Sequence, residues 1–141
     1  MSSLQERLRD GKGADDKVFV FGSNEAGRHG KGAALWARQH RGAIYGQARG
    51  LQGQSYAIPT KDQHLRTRPL QQIAIDVKVF IVFARQHPEL EFFVTPIGCG
   101  LAGYQASDIA PLFVDLPANV ELASELACAN LALLAAKEPR P

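Results

Sequence analysis

Val18-Phe19-Val20-Phe21 runs without a break into Gly22-Ser23-Asn24-Glu25-Ala26-Gly27-Arg28-His29-Gly30-Lys31-Gly32, and Ala33 to His40 follows with helix-forming composition. A short continuous apolar run bounded by turn residues reads as a strand buried on both faces, as in a parallel sheet. The chain thus passes from strand through a glycine-rich loop into a helix, with Gly42 as its stop.

The same alternation continues outward. Gly46 to Gly53 is rich in glycine and poor in apolar anchors, and reads as loop. Ser55-Tyr56-Ala57-Ile58 reads as a second strand, ending at Pro59-Thr60-Lys61-Asp62. Pro69 opens a helix at a first-turn position where proline is tolerated, and His87-Pro88 closes it. Leu70, Ile73, Val77, Phe80 and Ala84 recur at helical spacing, and Ile75, Val79, Val82 and Phe83 make most of the remaining circumference apolar. That pattern predicts a deeply packed helix, covered by the sheet and by a neighbour. A third strand, Phe92 to Ile97, leads into a second glycine loop, Gly98-Cys99-Gly100-Leu101-Ala102-Gly103-Tyr104. Ser107 or Asp108 caps a short helix through Phe113, Asn119 to Leu122 reads as a strand or a helix start, and Ala123 to Lys137 as a terminal helix. Strands alternating with helices predict a layered α/β domain with a mostly parallel sheet. Residues 1–141 read as one domain, with 1–16 as a flexible or short helical extension around Leu4 to Arg9.

Composition narrows the function classes. The chain is 45% apolar and 21% charged, with a formal charge of +2. That charge is too small to argue for nucleic acid or an anionic membrane, and no basic run carries interleaved aromatics. Cys99 and Cys128 have neither CxxC spacing nor a nearby histidine pair, so reduced thiols are expected rather than zinc or a disulfide. Cys128 reads as core. A polar Met1 to Asp10 is no signal peptide, and no apolar run spans a bilayer. The expectation is a cytoplasmic protein without metal or cofactor.

In open α/β sheets, ligands sit beyond the carboxyl ends of the strands, where both glycine loops would lie. Glycine permits positive φ and close approach, so that successive N–H groups converge on an anion. A helix N-terminus after the first loop adds free donors and a favourable dipole. Gly22 and Gly27 have P-loop spacing, but Arg28-His29 replaces the required Lys and Ser or Thr. Gly27, Gly30 and Gly32 have the wrong gaps for a dinucleotide fingerprint.

Phe21-Gly22-Ser23-Asn24, with Gly30-Lys31-Gly32-Ala33-Ala34 opening a helix, resembles the first signature of the macrodomain family. Ile97-Gly98-Cys99-Gly100-Leu101-Ala102-Gly103-Tyr104 is similar to its second, a phosphate loop after a late strand. The resemblance covers roughly Val18 to Phe113 and implies a divergent member with a three-layer α/β/α fold that binds ADP-ribose or a derivative. It places Gly22, Ser23 and Asn24 at the distal ribose, and Gly30, Lys31 and Gly32 between that ribose and the diphosphate. Gly98, Cys99, Gly100, Leu101, Ala102 and Gly103 would wrap the diphosphate, with Tyr104 near the distal ribose. The family's Gly-Asp-Ile segment, whose aspartate recognises adenine, has no counterpart in Gly13-Ala14-Asp15-Asp16-Lys17.

The expected activity is hydrolysis of an ADP-ribosyl linkage or ester in an ADP-ribosylated substrate, protein or nucleic acid. Asn24 orients the ribose, His29 and Asp62 are titratable candidates for moving a proton, and Lys61 neutralises phosphate. Asn24 also suits an Asx turn, and Lys61-Asp62 an exposed turn pair. A non-catalytic reader of ADP-ribose, or a nucleotide-processing enzyme sharing the same edge, is the competing expectation. Cys99, with no base beside it in sequence, reads as a small residue rather than a nucleophile. Trp36 and Tyr56 read as core or rim.

Overall fold

The apolar run at Val18 extends to Asn24 and forms β1 (Val18–Asn24), the middle strand of the sheet in the computed structural model, which describes residues 16–137. After it come α1 (Gly32–His40), β2 (Gly50–Gln52), β3 (Ser55–Lys61), α2 (Leu70–Gln86) and β4 (Phe92–Val94). The chain ends in α3 (Ala106–Ile109), a 3-10 turn (Ala110–Leu112), β5 (Val120–Leu122) and α4 (Ser124–Lys137). The five strands lie in the order β2-β3-β1-β4-β5, all parallel except β2, which pairs antiparallel with β3. The protein is therefore an α/β domain built on a mostly parallel sheet. The expected helix at Leu4 to Arg9 lies outside the described residues.

Alternation along β1 distributes its side chains between two cores. Val18 and Val20 join Tyr56, Ile58, Phe92 and Val94 in a large cluster with the inner faces of α2, α3 and α4. Phe21 joins Ala34, Ala37, Ala43 and Ala57 in a smaller one, with Phe19 packed against it. Alanines on α1 let that helix lie close on the sheet. Both faces of β1 are thus dry, which is why its sequence reads as a continuous apolar run.

β3 runs three residues past its expected end at Ile58, and differences from expectation also arise in β2, β4 and α2. β2 lies within the stretch that reads as loop. Its three residues carry no apolar alternation, and pairing with the edge of β3 alone makes them a strand. β4 stops at Val94 because Thr95 turns its hydroxyl back to the Val20 carbonyl at 2.7 Å, and Pro96 has no N–H to continue a ladder.

α2 differs as well. It buries Ile73, Val77, Phe80, Ile81 and Ala84, whereas Ile75, Val79 and Val82 remain 64%, 56% and 50% exposed. The expected cover on both sides is not found among the described residues: the sheet takes one stripe and the other faces outward. Pro69 is the residue before the helix, its carbonyl accepting the Gln72 and Ile73 N–H groups. Cys128, expected in the core, is exposed, because Leu126 takes the inward position on α4. No helix of the described residues is long and apolar enough to cross a membrane.

Candidate functional site

β1, β3 and β4 are parallel, so their carboxyl ends share one edge. A cleft of about 510 Å³ opens there. The first glycine loop supplies Gly22, Ser23, Asn24, Arg28, Gly30 and Lys31 to its wall, and Gly32, Ala33 and Ala34 of α1 continue it. The second loop supplies Gly98, Gly100, Leu101 and Ala102, and β3 ends on it with Thr60 and Lys61. The two loops and the end of β3, separate in sequence, therefore face one space.

The first loop is built around two side chains. Asn24 closes it, its Nδ2 donating to the Arg28 carbonyl at 2.7 Å and its Oδ1 accepting the Arg28 N–H at 2.9 Å. One amide hydrogen and one carbonyl lone pair of Asn24 are left for a ligand. His29 holds the loop from beneath. Its ring is fully buried, edge-on to Phe21, with Nε2 3.0 Å from the Gln47 carbonyl and 3.1 Å from Gln52 Oε1. Both neighbours are acceptors, so Nε2 carries the proton. Nδ1 is buried without a hydrogen-bond partner. The imidazole is not part of the cleft wall, which removes the expected proton shuttle from the site. Gly27, at φ 71°, permits the loop to lie on its neighbour: a Cβ there would meet the Gly46 backbone at 2.5 Å.

α1 begins without a side-chain cap and without an acidic residue in its first turn. The N–H groups of its first turn have no intrahelical partners, and its first three residues line the cleft. The charged side chains of the wall are Arg28, Lys31 and Lys61; among the described residues no carboxylate lines it. Dipole and side chains thus act in the same sense, towards an anion.

Asp62, next to Lys61, is spent on its own turn. Its Oδ1 accepts the His64 N–H at 2.8 Å and the Arg66 N–H at 3.0 Å. The Arg66 N–H is the main cause that holds its pKa below the usual carboxylate range. Asp62 is absent from the cleft wall, so the structure does not bring the four nominated catalytic groups together: Asn24 and Lys61 meet there, His29 and Asp62 do not.

The second loop is closed by the Tyr104 N–H on the Gly98 carbonyl at 2.7 Å. Gly98 lies at φ 71°, where a Cβ would press on Ile109 at 3.1 Å. Tyr104 faces away from the cleft wall and donates its hydroxyl to the Arg68 carbonyl at 2.5 Å. Thr67 Oγ1 donates to Ala102 at 2.7 Å, so the β3–α2 segment holds this loop at two points. Cys99 points into a shallow hollow with Pro96, Ala106 and Glu125, its Sγ 3.4 Å from the Ile97 carbonyl. Burial first, then Asp108 and Glu125, pushes its pKa up, the reverse of an activated thiol. Gly103, at φ 88°, shapes the turn outside the wall. Gln105, not Ser107 or Asp108, is the N-cap of α3: the helix starts earlier than expected, at Ala106, and Asp108 sits inside its first turn, where its carboxylate accepts the Gln105 N–H at 3.0 Å.

Thr95, Tyr45 and Leu65 also line the cleft and carry no signal in the sequence. Behind it lies a charge network equally invisible there. Arg68, nearly buried, donates to Asp76 at 2.7 Å and to the Pro59 carbonyl at 2.6 Å, while Arg49 bridges Asp76 at 2.9 Å and Glu25 at 3.0 Å.

No family model matches this chain. No curated protein matches it significantly. A solved structure of a protein of unknown function from Bacteroides thetaiotaomicron is similar to it, with 16% identity, 76% of this chain and 88% of that one covered, and a TM-score of 0.48.

Proposed function

We propose that the cleft binds a phosphorylated ribose ligand of the ADP-ribose class, in a three-layer α/β/α arrangement of macrodomain type. The observation that carries this reading is the convergence of an uncapped helix N-terminus, two glycine loops and Arg28, Lys31 and Lys61 on one space. Free N–H donors and cations suit a diphosphate, and Asn24 retains hydrogen-bonding capacity beside them for a ribose hydroxyl.

The geometry supports binding more than hydrolysis. Of the groups suited to moving a proton, His29 faces Gln47 and Gln52 beneath the loop, and Asp62 holds a turn. The function is that of a reader of free or conjugated ADP-ribose.

Titration calorimetry with ADP-ribose tests it. A dissociation constant in the micromolar range is expected, weakening by roughly tenfold in the Arg28→Ala, Lys61→Ala double variant and falling with added salt, as charge-assisted contacts to phosphate do. No heat at millimolar ligand would overturn the proposal. Incubation with ADP-ribosylated protein is expected to give capture without release; release would make the cleft hydrolytic.

A further inference from the structure

The cleft has an apolar rim that phosphate binding does not use. Tyr45, Leu65 and Leu101 line it from three different loops and are 56%, 44% and 65% exposed. Apolar side chains gathered at the mouth of a polar cleft mark the place where a ligand's own apolar surface is covered.

The segments that carry them are held by the neighbouring framework. Arg38 lies 5.1 Å from the centroid of the Tyr45 ring, and the Gly46 N–H bonds to the Gly27 carbonyl at 2.8 Å, which ties this segment to the first loop. Leu65 sits in a turn closed by its own N–H on the Asp62 carbonyl at 3.1 Å and by the Asp62 N–H on Arg66 at 2.7 Å. Thr67 ties that turn to Ala102, beside Leu101. The segments that carry Tyr45 and Leu65 are thus tied to the two glycine loops that face the anion site.

Resting on the phosphoribose reading, we infer that this rim receives the base of the ligand, by stacking and shape rather than by hydrogen bonds to its edge. Reading a purine's edge requires donors and acceptors aimed at it. Among its side chains the rim offers only the Tyr45 hydroxyl, and no carboxylate of the described residues lines the cleft. Stacking on an aromatic ring is tolerant of base identity, since every base presents a π-face. The site therefore favours a ligand that carries a base and is indifferent to which purine it is.

Three probes test this by calorimetry: ribose 5-diphosphate, ADP-ribose and its hypoxanthine counterpart. The two base-bearing ligands should bind within about fivefold of each other, and each at least about tenfold tighter than the base-free one. Tyr45→Ala and Leu65→Gly should each remove most of that advantage while the base-free ligand keeps its affinity. Thermal melts establish that both variants fold. Equal affinity for all three probes, a preference for adenine beyond about fivefold, or variants that weaken all three alike would overturn the inference. Failure of the base-free probe together with both others would instead strike the phosphoribose reading on which it rests.

Discussion

Leu65 occupies φ 64°, a conformation that costs an L-residue about 1–2 kcal/mol relative to the right-handed regions. The turn around it is over-determined: the Asp62 carboxylate takes two N–H groups, and the Asp62 backbone takes the N–H of Leu65 and the carbonyl of Arg66. Its side chain is exposed, so packing does not repay the strain. Leu65→Gly is therefore expected to stabilise the protein by about 0.5–1 kcal/mol in urea denaturation, the relief being partly offset by glycine's greater freedom when unfolded. A destabilised variant would show that the leucine packs in the free protein. Glycines invite the same discrimination. Gly27 and Gly30 are alike in the sequence, yet a Cβ at Gly27 would strike the Gly46 backbone while one at Gly30 meets nothing within 4 Å. Only the fold tells a structural glycine from a permissive one, because the difference lies in what another segment brings near.

Among the elements, α2 shows how far periodicity reaches. Residues 73, 77, 80 and 84 and residues 75, 79 and 82 both recur at helical spacing, so composition offers two candidate core stripes. The sheet chooses one. Phe80 meets Tyr56, Phe92 and Phe113 with ring centroids 5.0, 5.3 and 6.3 Å away, whereas Val79 faces outward. Phe80→Ala should cost about 3–5 kcal/mol, and Val79→Gln should change stability by less than about 0.5 kcal/mol, both from chemical denaturation. A large loss at Val79 would mean that its face is covered. The end of α2 is set from afar: Asn119 Nδ2 lies 2.9, 3.1 and 2.9 Å from the carbonyls of Ala84, His87 and Leu90. β1 and β3 were legible because burial on both faces demands a continuous apolar run, while β2, drawn into the sheet only by its neighbour, was not.

Across the whole molecule, the charge network joins the loop after β1, the segment before β2, the approach to α2 and α2 itself through Glu25, Arg49, Arg68 and Asp76. The side chains of Arg68 and Asp76 are only 7% and 15% exposed, so this pair is far less screened than a surface bridge. Asp76→Ala strands the Arg68 guanidinium in a dry setting and should cost about 3–5 kcal/mol, read from denaturation. A loss near zero would mean that Glu25 and the Pro59 carbonyl suffice for it. The sequence by itself determined the α/β class, the sites of the two glycine loops and their common edge, because these follow from local patterning and from the parallel sense of strands joined by helices. It did not determine which polar residues face the cleft. Asn24, Lys61, His29 and Asp62 were all candidates in the chain, and tertiary structure separated the first two from the others. The physical reason is that a side chain's task depends on which donors and acceptors come within hydrogen-bonding reach. For His29 Nε2 and the Asp62 carboxylate, protein groups outside the cleft satisfy that reach; Tyr45, Leu65 and Leu101 became a rim only when three distant loops met.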